Sequence, residues 1–277
     1  MKIQNNIDSN ITTHNKSIEN FYTKNPFPNY EEFGKAADFI NKANTNPFIR
    51  SLVYSINTEC VRSTNNKIQI LEVGCGTGQF CNLLALLTDS EITAMDITKK
   101  SLDIALEFSL KHNINNIKFI RDDISNIKST ENKFDLVVSN GVLHHTEEPY
   151  KSFQNLIKLC KQDGFIIVGL YNKTGRLKNK FLKFLYNIFG SIVLKVDRYY
   201  MSIKSESKKN AWLSDQYKNN LEVSYSFKEI VSWFNKNNIE FINSIPYPDI
   251  AITNNSNLFR KKDLPGSDIL KINEMNM

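Results

Sequence analysis

The chain has 277 residues, 41% hydrophobic and 23% charged, which suits a soluble globular protein with one sizeable core and excludes a disordered or fibrous chain. A formal charge of +6 is too modest to require a nucleic-acid partner, and much of the excess sits on lysines of one central segment. No apolar run reaches bilayer length; the longest, Phe181 to Val196, is broken by Lys183 and Lys195.

Cys60, Cys75, Cys81 and Cys160 show no metal-ligand spacing, and no secretory signal precedes them. Reduced thiols in a cytoplasmic protein, without a bound metal, are therefore expected. Residues Met1 to Asn20, rich in Asn, Ser, Thr and Lys, read as a mobile leader. The aromatic segment Phe21 to Tyr30 carries Pro26 and Pro28, which exclude a continuous helix, so its rings are expected on an extended stretch. Those rings either plug onto the domain surface or form a lid over a ligand. A helix is expected around Glu31 to Lys42. Another starts at Asn46, an N-cap with Pro47 at the first helical position, and carries Phe48, Leu52, Val53 and Ile56 on one face.

Ile68 to Val73 is an apolar run suited to a buried parallel strand. Gly74, Gly76 and Gly78 follow at alternate positions, and Phe80, Leu83, Leu84 and Leu87 then recur with helical spacing. Strand, glycine turn and helix start form a cradle, because glycines admit close backbone approach and free N–H groups attract an anion. A dinucleotide fingerprint needs its third glycine three residues after the second, and Gln79 occupies that place. A glycine turn with no ligand is the bland alternative. Glu72 precedes the first glycine by two residues, and acidic-x-Gly-x-Gly-x-Gly resembles the first motif of class I S-adenosylmethionine (SAM)-dependent methyltransferases. Cys75 within it, with no basic partner adjoining, reads as packing or backbone contact rather than as a nucleophile.

Glu91 to Asp96 reads as a second strand ending in an acid 22 residues beyond Gly74, a spacing at which a carboxylate accepts bonds from ribose hydroxyls. Thr98 then caps a helix running to about His112. A third strand, Ile117 to Ile120, leads into Arg121-Asp122-Asp123-Ile124. By the resemblance, Asp123, or Asp122 one residue off, meets the adenine amino group, a neighbouring backbone N–H meets a ring nitrogen, and Ile97 and Ile124 border the cofactor. The strand Phe134 to Val138 runs into Ser139-Asn140-Gly141-Val142-Leu143-His144-His145, which resembles the fourth motif of small-molecule methyltransferases. The resemblance puts the backbone at Asn140 and Gly141 against the methionine end and the transferable methyl. The Asn-Pro-Pro-Tyr tetrad of enzymes that methylate base or amide nitrogens is absent.

Pro149 begins a helix with Phe153, Leu156, Ile157 and Cys160 inward, Gly164 follows at its end, and Phe165 to Tyr171 is a fifth strand. Such alternation indicates an α/β fold with a doubly wound, mostly parallel sheet, whose ligands bind at the strands' carboxyl ends. Lysines and apolar residues then interleave from Asn172 to Tyr225 as a basic amphipathic helical insert. It could face a membrane surface, although packing of its apolar side is the favoured reading. Asp215, Gln216, Tyr217 and Glu222 are expected near the substrate mouth. Ser226 and Glu229 form a capping box, Ile239 to Ile245 reads as a sixth strand, and a seventh is not placed.

The chain thus divides into a leader (1–20), a lid with helices (21–64), a SAM-binding core (65–171), a helical insert or substrate cap (172–225), and a completion of the core with a tail (226–277). The resemblance implies a SAM-dependent methyltransferase acting on a small molecule, at oxygen of a sugar, lipid-linked or phenolic compound, with no nucleic-acid partner. His144 or His145 is the candidate base, and Tyr22, Tyr30 and Tyr171 are candidate acceptor-site residues. An RNA-modifying enzyme, a SAM-binding protein without turnover and a nicotinamide dehydrogenase are the rival readings, the last opposed by the glycine spacing.

Overall fold

The computed structural model describes residues 1–7, 11–27, 36–60, 67–127, 132–218, 223–244 and 258–259. Among them are six strands: β1 (Gln4–Asn5), β2 (Gln69–Val73), β3 (Glu91–Asp96), β4 (Ile117–Arg121), β5 (Phe134–Asn140) and β6 (Cys160–Gly169). All pair in parallel, in the order β1-β4-β3-β2-β5-β6. The order reverses between β2 and β5, and the crevice at their carboxyl ends is where an open parallel sheet takes its ligand.

Period-two alternation divides the strand residues between two faces. Ile70, Ile92 and Leu136 face a core completed by Leu52, Leu84 and Leu102, whereas Leu71, Val137 and Met95 face Phe153 and Leu156. The first layer is built by α3 (Pro47–Ser55), α4 (Gln79–Leu87) and α5 (Lys99–Lys111), the second by α6 (Pro149–Leu159) and α10 (Phe227–Lys236). Local chemistry sets several boundaries. The Asn46 side chain accepts from the N–H groups of Phe48 and Ile49, with Pro47 at the first position of α3. Ser226 and Glu229 form a reciprocal capping box on α10. Thr98 sits at the N-cap of α5 without a side-chain cap bond, and its own N–H donates to Asp96 Oδ1 at 2.8 Å.

Four expectations need correction. The N-terminal residues do not form a mobile leader: β1 adds to the sheet edge and α1 (Thr13–Lys24) lies over the strand ends, held by buried Asn15 and Ile18. Phe21 and Tyr22 are therefore helical, and Pro26 acts only after the cap residue Asn25. Gly164 does not end α6, because Cys160 is its cap and β6 begins there with a bulge opposite Phe134 and Leu136. Residues 239–244 form no strand; the Ile239 N–H closes the end of α10 by donating to the Phe234 carbonyl, and Phe241 packs on Phe227 and Phe234. Their apolar pattern is satisfied by a helix face instead of a ladder.

The remaining helices are α2 (Ala36–Asn44), α7 (Leu177–Phe189), α8 (Arg198–Ser202) and α9 (Glu206–Leu213), the last three forming the insert after β6. Tyr30, Glu222, Ile245 and the start of the helix expected from Glu31 lie outside the described residues. No helix among the described residues is long and apolar enough to cross a membrane.

Candidate active site

A cavity of about 360 Å³ opens at the carboxyl ends of β2, β3, β4 and β5. That size suits a nucleoside-sized ligand. Its floor is made by Glu72, Asp96, Asp123 and Asn140, each at or just past a strand end, and by the turn Gly74-Cys75-Gly76. A larger hollow, about 850 Å³, lies under the sheet between Gln4, Thr93 and Lys118, and it has no glycine turn.

The turn is fixed by bonds as well as by small residues. The Gly74 and Cys75 N–H groups both donate to the Met95 carbonyl, and the Gly76 N–H donates to Asp96 Oδ2 at 2.8 Å. Gly74 has φ +71, and a Cβ there would stand 2.2 Å from a Val142 methyl. Only glycine lets the loop after β5 come that close. Gly78 has a different duty: a Cβ on it would meet the Ala105 Cβ at 2.5 Å, so it permits the contact of α4 with α5 and does not line the cavity.

Electrostatics distinguish the carboxylates. Glu72 is buried, and burial pushes its carboxyl up to about 8, partly opposed by hydrogen bonding at Cys81. Its Oε2 has no hydrogen-bond partner, which leaves a buried acceptor facing the cavity. Burial also raises Asp96, against the bonds it accepts from the N–H groups of Thr98 and Gly76. Each Asp96 oxygen takes one backbone bond and retains an acceptor lone pair. Asp123 Oδ1 accepts from the Ser125 N–H at 2.9 Å and Oδ2 from Asn15 Nδ2 at 2.6 Å. Burial raises the Cys75 thiol well above its ordinary value, which keeps it un-ionised and chemically inert.

The roof is α1. Asn15, Ile18 and Tyr22 line the cavity, and the helix is tied down by Asn15 to Asp123, by His14 Nε2 to the His145 carbonyl at 2.8 Å, and by the Glu19–Arg121 ion pair. Phe27 closes one end, its carbonyl accepting from the Thr77 N–H.

The two histidines part company. Both sit in the 3-10 turn Leu143–His145, which sends adjacent side chains in different directions. His145 lines the cavity beside Tyr171, with its Nε2 3.4 Å from the Tyr22 hydroxyl. His144 is buried beneath the Tyr171 ring, centroids 4.0 Å apart, and does not line the cavity. Burial, with His145 and Arg176 nearby, drives it down to about 2. Its imidazole stays neutral, walled off from any acceptor.

A profile for a family described as "Methyltransferase domain" matches residues 64–238, most of the chain. The chain belongs to this methyltransferase family. The ubiquinone biosynthesis O-methyltransferase of Rickettsia bellii is 29% identical over 119 residues, covering 42% of this chain and 48% of that protein. The malonyl-[acyl-carrier protein] O-methyltransferase of Bacillus anthracis is 28% identical over 112 residues, 40% of each. The chain thus matches less than half the length of these curated relatives. Among solved structures, magnesium protoporphyrin IX methyltransferase from Synechocystis PCC 6803, with bound SAH, has TM-score 0.50 and 16% identity over 80% of this chain and 88% of that one, a likeness of fold.

The class I methyltransferase uses S-adenosylmethionine as its cofactor, and the cavity fits it. The orphaned Glu72 oxygen suits a cationic group, the spare Asp96 lone pairs suit a diol, and the turn without side chains admits a backbone-close ligand. Of the residues singled out from the sequence, Glu72, Gly74, Cys75, Gly76, Asp96, Ile97, Asp122, Asp123, Ile124, Asn140, Gly141, His145, Tyr22 and Tyr171 line this one cavity. Gly78 and His144 do not, for the reasons given above, and Tyr30 is outside the described residues. Gln216 and Tyr217, expected near the substrate mouth, are instead buried in the insert, where Gln216 accepts from Arg176 and Tyr217 donates to Asp197. Sequence reasoning missed Asn15, Ile18, Ser101 and Thr146, whereas Phe27, one of the rings expected either on the surface or as a lid, lines the cavity. Only the N-cap Thr12 hinted that the first two belong to a helix.

Proposed function

We propose that this methyltransferase moves the SAM methyl group to an oxygen of a small-molecule acceptor, with His145 taking the acceptor's proton. The observation that carries the reading is the single cavity shared by Glu72, Asp96, Asp123 and His145, with Tyr22 and Tyr171 beside the histidine. When bound, SAM supplies a methyl already activated on a sulfonium, so the protein's task is alignment and exclusion of water. Asp96 would accept from the ribose hydroxyls, Glu72 would face the methionine ammonium, and Asp123 with the backbone at Ile124 would hold the adenine edge. Asn140 and Gly141 would border the methyl. Gly141 is fixed for this, since its N–H donates to the Gly169 carbonyl at 2.9 Å.

As the acceptor oxygen attacks, its proton passes to His145 Nε2, and α1 keeps the site dry. Relatives acting in ubiquinone biosynthesis and on a malonyl-carrier, both designated O-methyltransferases, support oxygen as the acceptor atom. A cytoplasmic location accords with the buried free thiols Cys75, Cys81 and Cys160. The test is incubation with methyl-labelled SAM and separate pools of phenols, sugars, carboxylic acids and tRNA. Label in an ether or ester of a small molecule supports the proposal. Label only in tRNA, or SAM bound without any product, overturns it.

A further inference from the structure

Segment 173–204 carries eight basic residues against one acid, Asp197, so it holds more than the chain's whole excess of positive charge. Within it α7 buries no residue at all. Leu177, Phe181, Phe184 and Ile188, spaced by four, three and four residues, form one line along the helix, and each is 56–62% exposed. Ile192 and Val196 continue the apolar face into the 3-10 turn that follows. The opposite side attaches the insert: Tyr186 packs on Tyr217, and buried Val193 and Leu194 anchor the turn. The packing expected for this apolar face is therefore not found among the described residues; the side chains with the largest apolar payload are exposed.

Exposed Lys178, Lys195 and Arg198 lie along the same segment as this face. Aromatic and aliphatic side chains beside basic ones are what a helix lying in the plane of a bilayer requires, with amines snorkelling to phosphates while rings enter the acyl boundary. We infer that the outer face of α7 and its following turn docks on an anionic lipid surface. A second copy of the chain fits less well, because a two-fold interface here would bring two basic segments together. The location is apt. Leu177 directly follows Arg176, whose guanidinium stands 4.0 Å over the Tyr171 ring at the cavity wall. The inference does not depend on which acceptor is methylated, or on turnover.

Co-sedimentation of the full chain with vesicles of phosphatidylcholine, and of phosphatidylcholine mixed with phosphatidylglycerol, tests it. The chain should pellet with the mixed vesicles and release at high salt. The double variant Phe181→Ser/Phe184→Ser should bind about tenfold or more weakly, and Lys178→Glu/Lys195→Glu should lose the preference for anionic lipid. Both variants should keep wild-type circular dichroism and SAM affinity, since neither pair lines the cavity. No pelleting with either vesicle overturns the inference. So does a wild-type dimer that Phe181→Ser/Phe184→Ser splits into monomers in sedimentation equilibrium, because the face would then belong to a second copy.

Discussion

The floor and the roof of the cavity are built on different principles. The floor is strand ends and a glycine turn, in which two carboxylates are oriented by backbone N–H groups of the strand-end loops, Asp96 by Gly76 and Thr98 and Asp123 by Ser125. The roof is one helix, α1, whose only buried side chains are Asn15 and Ile18 and which is latched mainly by polar contacts. The floor therefore folds with the core, whereas the roof adds little apolar burial and depends on groups that the floor presents to it. Such a division suits a site that must be rigid where it holds the cofactor and separable where ligands enter.

The largest expected effect falls where roof and floor meet. His145→Asn should lower kcat by about 10²–10⁴-fold with little change in SAM affinity, whereas His144→Phe, a ring of similar size beneath Tyr171, should change kcat by less than roughly threefold. Steady-state kinetics on the pair separate a base from a packing ring. Equal losses in both variants would remove the distinction.

On the floor alone, Asp96→Ala deletes the carboxylate that orders the turn and that we propose accepts from the ribose diol. Calorimetry should show SAM affinity reduced by about 100-fold, in keeping with roughly 1.5–3 kcal/mol per bond to a charged group. Glu72→Gln should weaken SAM by about tenfold and yet stabilise the free chain. Its folded carboxyl stands at about 8, above the ordinary 4.5, so as pH rises between those values the unfolded chain ionises while the folded carboxyl keeps its proton, and stability is lost. The variant's Tm should exceed wild type near pH 9 and match it near pH 4. A variant less stable than wild type at high pH would mean that Glu72 has a cationic partner in the free protein. The smallest effect belongs to the roof: Asn15→Ala should weaken SAM by about three- to tenfold, by removing one bond to Asp123.

The floor was legible because its chemistry is consecutive in sequence. Glu72 through Gly78 is one strand end and one turn, and Asp96 ends the next strand at a spacing set by a single crossover. Even there, the glycines' separate duties were not readable, since Gly78 answers to Ala105 on a different helix. The choice between His144 and His145 was equally hidden, because adjacency says nothing about which side chain a 3-10 turn sends inward. The roof was illegible for a physical reason: a stretch of Asn, Ser, Thr and Lys with one buried isoleucine resembles a solvated leader until Asp123 meets Asn15. Residues 239–244 misled in the opposite direction, with strand-like alternation spent on packing against α10. In the insert, periodicity revealed an amphipathic helix but not that its apolar line faces out.

The central claim, a floor shaped for adenosine and methionine together, is tested most directly by calorimetric titration of the full chain with SAM and, separately, with NADH. The account predicts saturable heat from SAM, nearly lost in Asp96→Ala, and none from NADH. Saturable binding of NADH with SAM ignored would contradict it.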